Sequence, residues 1–146
     1  MVELGHVAYY VRDLKQSLRF YHEGLGLEIV GRLFNGRAAM LSGGRTHHEL
    51  LLIEAGSDSP ARDRHAIGTY HVAWKIGDDL QALSEIKQKL TSMNYPPQAV
   101  SDHTVSQSLY LVDPDGNQVE IYVDNPDIDW RSDTSWMQQP VKPLKV

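Results

Sequence analysis

The chain has no cysteine in its 146 residues. Disulfides, thiolate metal sites and a cysteine nucleophile are therefore excluded. No stretch approaches the roughly 18 consecutive apolar residues of a membrane span. The opening residues, Met-Val-Glu-Leu-Gly-His, lack the basic and apolar regions of a signal peptide. The expectation is a cytoplasmic protein with no membrane partner. A basic excess is missing too: 14 Lys and Arg stand against 19 Asp and Glu, for a formal charge of −5. That balance argues against nucleic acid as a partner, because a phosphate-tracking protein normally displays a basic face. With 41% hydrophobic and 23% charged residues, the composition is neither disordered nor fibrous. A chain this long buries roughly two-thirds of its unfolded surface as one domain.

What is present is an internal repeat. Gly5-His6-Val7-Ala8-Tyr9-Tyr10-Val11 is answered 65 residues later by Tyr70-His71-Val72-Ala73-Trp74-Lys75-Ile76. Each copy is followed by an aspartate suited to capping a helix, Asp13 or Asp79. Apolar residues then recur at helical spacing: Leu14, Leu18 and Tyr21, then Leu80, Leu83, Ile86 and Leu90. Gly24 and Gly26 are expected to stop the first helix, and Asn94 with Pro96 and Pro97 the second. Three strand-like runs follow each helix, at about 27–34, 37–42 and 47–54, and at about 98–103, 106–112 and 118–123. The last two are joined by Asp113-Pro114-Asp115-Gly116-Asn117, a strong turn sequence. The expected fold is α+β: two tandem βαβββ modules forming a curved mixed sheet around a metal-binding cleft. One domain covers 1–146, with module one at about 3–55, a polar linker at about 56–68, module two at about 69–123 and an aperiodic tail at 124–146.

Alternation along a strand puts His6, Ala8 and Tyr10 on one face, and His71 with Ala73 on the equivalent face of the repeat. The opposite faces are apolar and must pack on the helices. Glu120 shares a face with Gln118 and Tyr122, opposite Val119, Ile121 and Val123. A lone strand histidine is usually a local hydrogen-bonding group. Two at equivalent places in a repeat, plus an inward glutamate, make a metal-ligand set of His6, His71 and Glu120. Two imidazoles and a carboxylate with open positions suit Fe(II), and also Mn(II), Zn(II) or Ni(II).

The double βαβββ pattern, the two histidines and the closing Asp113-Pro114-Asp115-Gly116-Asn117-Gln118-Val119-Glu120 resemble the vicinal oxygen chelate superfamily over about residues 3–123. That group includes glyoxalase I, type I extradiol dioxygenases, methylmalonyl-CoA epimerase, fosfomycin-resistance enzymes and bleomycin-binding proteins. A narrower pattern, His103, then Leu109-Tyr110, Asp113-Pro114, Gly116 and Glu120, is similar to the signature of type I extradiol ring-cleaving dioxygenases. Ser101 departs from it. This resemblance implies Fe(II), with a small aromatic diol and O₂ as substrates, and a homodimer is the expected assembly. The resemblance also implies His48 as the acid/base, with His103 and Tyr110 hydrogen-bonding the substrate oxygens. A histidine titrating near neutrality suits that proton transfer.

Glu49 points to another reaction. Aligning the final strands of the halves makes it the counterpart of Glu120, the place that glyoxalase I and the epimerases use for a fourth ligand. If residues 48 and 49 alternate on a strand, only one of them enters the cleft, and His47 faces away from His48. Glu49 inside implies a lyase or isomerase; His48 inside implies the dioxygenase. A metal-free drug-binding protein is the third reading, and it expects an incomplete metal triad. His22 and His65 are expected to be solvated. Trp130 and Trp136 are expected to close the cleft or to pack at a dimer interface.

Overall fold

Both halves open with a strand that leads to a capped helix in the computed structural model, which describes residues 1–146. The first strand, β1 (Val7–Val11), leads to Asp13, whose carboxylate accepts from the Gln16 amide at 3.0 Å and starts α1 (Leu14–Leu18). The helix widens into a π-helical segment, Arg19–Gly24, and Gly26 at φ +91° turns the chain away. There follow β2 (Glu28–Leu33), β3 (Ala38–Ser42) and β4 (Leu50–Glu54). The second half repeats this order. Asp79 accepts from Gln81 N at 2.8 Å at the start of α2 (Leu80–Ser92), between β5 (His71–Gly77) and β6 (Ala99–Asp102). β7 (Ser106–Val112) and β8 (Gln118–Asp124) complete the module. The α+β class and tandem βαβββ order are thus what the chain adopts, and no helix is long and apolar enough to cross a membrane.

The chain divides into two compact units, Met1–Asp63 and Arg64–Val146, each with its own mixed sheet. In the first, the order is β1-β4-β3-β2, with β1 and β4 parallel and the other pairs antiparallel. Val11, Leu41, Leu50 and Leu52 are at most 1% exposed, on the face that α1 covers with Leu14 and Leu18, while Phe20 and Tyr21 of the π-helical segment are also buried. Glu54 at the end of β4 accepts from Leu14 N at 2.9 Å, tying the helix start to the sheet.

In the second unit the order is β5-β8-β7-β6-β9, the last being the two-residue Lys142–Pro143. Leu109, Leu111, Val119, Ile121 and Val123 pack under Leu83 and Leu90 of α2, all essentially inaccessible. Burial of each such side chain contributes about 1.5–3 kcal/mol. The apolar face is therefore pinned, and period-two alternation puts Ser108, Tyr110, Glu120 and His71 on the other one. The 124–146 tail, aperiodic in sequence, still contributes to the sheet. After a 3₁₀ turn at Ser135–Gln138, a short strand β9 (Lys142–Pro143) pairs with Ser101 and Asp102, covering the edge of β6. Trp130 remains half exposed with Arg131 stacked over its ring at 4.2 Å, whereas the Trp136 indole nitrogen is buried.

Candidate functional site

In the second unit, Glu120 is delivered by the tight turn before β8. The Asp113 carboxylate gathers Asp115 N (2.9 Å), Asn117 N (2.8 Å) and Asn117 Nδ2 (2.9 Å), while Gly116 takes the left-handed conformation at φ +83°. The parallel β5–β8 register aligns His71 with Gln118 and Ala73 with Glu120, and across β7–β8 Tyr110 stands directly opposite Glu120. His71 Nε2 lies 3.1 Å from Glu120 Oε2. The other carboxylate oxygen, Oε1, accepts from Ser108 Oγ at 2.6 Å and from Tyr110 OH at 3.1 Å. The same phenol is 2.8 Å from His103 Nε2. Three polar side chains, His71, Ser108 and Tyr110, thus meet one glutamate, and His103 joins them through Tyr110; all but Ser108 were expected from sequence. Ser108 was not foreseen, because a serine in a strand carries no signal of its own; its shared face with Tyr110 and Glu120 was the available clue.

Burial, with the neighbouring Glu120 charge, pushes the Tyr110 phenol up to about 12. It is therefore neutral at ordinary pH and donates rather than carrying charge. His71 Nδ1 is buried with no hydrogen-bond partner, so the ring's polar engagement runs through Nε2 toward Glu120. An imidazole nitrogen and a carboxylate oxygen 3.1 Å apart fit two neighbouring donors to one small divalent cation.

His103 follows β6 in a hairpin that includes Thr104 at φ +72°, an unusual conformation for a β-branched residue. Asn125 braces that turn from the end of β8, donating to Thr104 O at 2.9 Å through Nδ2 and to Val105 O at 2.8 Å through its backbone.

The first unit places His6 just before β1, beside His48. Val7 N donates to Glu49 O at 2.9 Å, and this register brings the His6 and His48 rings to 4.4 Å between centroids. Burial, followed by the adjacent His6 and His47, lowers the His48 pKa below the ordinary histidine value, so its ring is neutral near pH 7.

Two expectations need correction here. β4 starts at Leu50, not 47, because residues 43–49 form a turn; strand alternation therefore does not govern positions 47–49. His47 accordingly does not face away: its ring stacks 4.5 Å from that of His48, with the two Nδ1 atoms in contact. His22 is exposed as expected, but its Nδ1 also meets Leu27 O at 2.7 Å.

Glu49 is engaged by the turn. Oε2 accepts from Gly43 N at 2.6 Å, and Oε1 from Arg45 N at 3.0 Å and Thr46 N at 2.9 Å. Burial would raise its pKa, but these backbone donors and the Ser42 hydroxyl outweigh that and hold it below the usual glutamate value. Glu49→Ala should therefore cost about 1.5–3 kcal/mol of unfolding free energy, the range for hydrogen bonds to a charged group. Because the native pKa is the lower one, this contribution is complete above the unfolded value near 4.5 and is lost as pH falls through the native value. Denaturant titrations of parent and variant should converge in acid; a difference that persisted there would refute this role.

No three His, Asp or Glu side chains are gathered as a ready metal cluster: His71 and Glu120 come together in one unit, and His6 pairs with His48 in the other.

Residues 3–121 match the Glyoxalase/Bleomycin resistance protein/Dioxygenase superfamily, and the chain belongs to that family. It is 31% identical over 133 residues to the catechol-2,3-dioxygenase of Bacillus subtilis (strain 168), covering 89% of this chain and 44% of the relative. It is 29% identical over 126 residues to biphenyl-2,3-diol 1,2-dioxygenase 3 of Rhodococcus globerulus, covering 84% and 63%. The chain thus spans less than two-thirds of either relative. Among solved structures, a lactoylglutathione lyase from Agrobacterium tumefaciens matches at 28% identity with a TM-score of 0.61, over 81% of this chain and 90% of that one. A glyoxylase/bleomycin resistance protein/dioxygenase domain from Frankia sp. EAN1pec shares the fold at 20% identity and a TM-score of 0.67, covering 86% and 99%.

Proposed function

We propose that the chain is a metal-dependent extradiol dioxygenase that opens a catechol-like ring beside its two hydroxyls, using O₂. In this reading His6, His71 and Glu120 hold Fe(II), or Mn(II) in its place. The observation that carries it is the hydrogen-bonded series His103–Tyr110–Glu120, with His71 against the free oxygen of the glutamate. His103, Tyr110 and Glu120 belong to the pattern that resembles the extradiol signature, and the matching relatives named for such chemistry support the same choice.

When bound, the metal supplies positive charge for the diol oxygens and a meeting point for the two reactants. The chain's own side chains do the rest. Neutral His48 takes the proton that a catechol hydroxyl must lose and returns it later in the cycle. His103 and the neutral Tyr110 phenol donate to the substrate oxygens, fixing the ring's orientation. The lyase or isomerase alternative asks Glu49 to become a fourth ligand. Both its oxygens already accept backbone N–H groups of the 43–46 turn, which favours ring cleavage.

The test is a panel of catechols offered to protein loaded with Fe(II) under anaerobic conditions and then exposed to air. Oxygen uptake should match the appearance of a yellow ring-opened product, one O₂ per ring. Absence of uptake across the panel, with turnover of a methylglyoxal–thiol hemithioacetal in the absence of oxygen, would replace this reading by the lyase one.

A further inference from the structure

Ser108 is fully buried, yet it carries a hydroxyl on the face of the sheet where Glu120 stands. Burying a hydroxyl is unfavourable unless it finds a partner. Here the partner is Glu120 Oε1, at 2.6 Å. That length is typical of a charge-assisted O–H···O⁻ bond, which is about twice as strong as a neutral one. Ser108 is held from both sides, since β7 pairs with β6 at Ser101 and with β8 at Tyr122. Its hydroxyl hangs on a single rotatable bond, so its position is set almost entirely by the sheet.

Taking Glu120 as a metal ligand, as proposed above, we infer that Ser108 is the positioning residue that commits Glu120 to one-oxygen ligation. A carboxylate offers two oxygens and can bind a cation through either or both. At Glu120 the two oxygens are differentiated. Oε1 receives Ser108 and Tyr110, while Oε2 faces His71 Nε2. Holding Oε1 leaves Oε2 as the donor atom and fixes the rotation of the carboxylate plane.

The two donors to Oε1 divide the work. Tyr110 is only partly buried and its hydroxyl is shared with His103, so it is the group able to turn toward a substrate oxygen. When it does, its bond to Glu120 is given up. Ser108 has no surface from which to reach a substrate, and it keeps Oε1 in place throughout.

The test uses Mn(II), which is stable in air and whose binding is read by electron paramagnetic resonance without any turnover. Ser108→Ala should weaken Mn(II) about 10–100-fold, the usual consequence of losing a group that orients a ligand. Circular dichroism should show an unchanged fold, because only one oxygen atom is removed. Ser108→Cys, nearly the same shape but a weak donor, should fall between parent and alanine; it also serves if the alanine variant does not fold. Glu120→Ala, measured alongside, should abolish tight binding. Parent-like Mn(II) affinity in both Ser108 variants, with affinity lost in Glu120→Ala, would overturn the inference alone. Parent-like affinity in Glu120→Ala would remove the ligand assignment and the inference with it.

Discussion

Alanine in place of His6, His71 or Glu120 is expected to strip the chain of tightly held metal and to lower ring-opening turnover by more than about 100-fold, since even outer partners of ligands are worth about 10–100-fold. The expectation starts from the short His71 Nε2–Glu120 Oε2 approach, which places two donors against one position. If the proposed ligand set holds, removing either one, or the imidazole of His6, leaves only two protein ligands, and a divalent ion held by two neutral or singly charged groups is readily lost to water. Elemental analysis of protein purified without oxygen is the measurement. A full metal complement in one of the variants would take that residue out of the ligand set.

The second large effect belongs to His48. Replacing it with Gln should lower turnover by about 10²–10⁴-fold, the ordinary worth of a positioned proton-transfer group, while leaving bound metal intact. The parent's dependence of kcat/KM on pH carries the matching signature. A base must be unprotonated to act, and His48 has its pKa lowered by burial and by the rings of His6 and His47. Activity should therefore persist in mildly acidic solution, and its acid limb should lie below about pH 6.5, the unperturbed histidine value. The variant should lose that limb. Glu49→Gln, whose side chain serves the 43–46 turn, should retain its metal. Metal lost from Glu49→Gln, with His48→Gln nearly as active as the parent, would reverse the two roles.

Much of the fold was legible because its determinants are local or periodic. The His-Val-Ala-aromatic repeat, the capping aspartates Asp13 and Asp79, and the Asp113–Asn117 turn each act within a few residues. The apolar alternation of Val119, Ile121 and Val123 predicts the buried face, and by elimination the face that carries Glu120. The placements of His47, His48 and Glu49 were not legible. A leucine-rich run extending from them reads as one strand, but the Glu49 carboxylate organises a turn around Gly43, Arg45 and Thr46, so the strand itself begins only at Leu50. That choice depends on backbone N–H groups, which no side-chain pattern reveals. The β9 strand was hidden for a related reason, since two residues with a proline have no periodicity and their pairing depends on a free edge at β6. Ser108 was missed because only its distance to Glu120 makes it significant.

Turnover of a catechol under ¹⁸O-labelled O₂, with the product read by mass spectrometry, separates ring cleavage from a lyase or isomerase reaction. The ring-opened product should carry label from both atoms of the same O₂ molecule when that product is trapped before its carbonyl oxygen exchanges with water. An unlabelled product, formed equally well when oxygen is withheld, would contradict it.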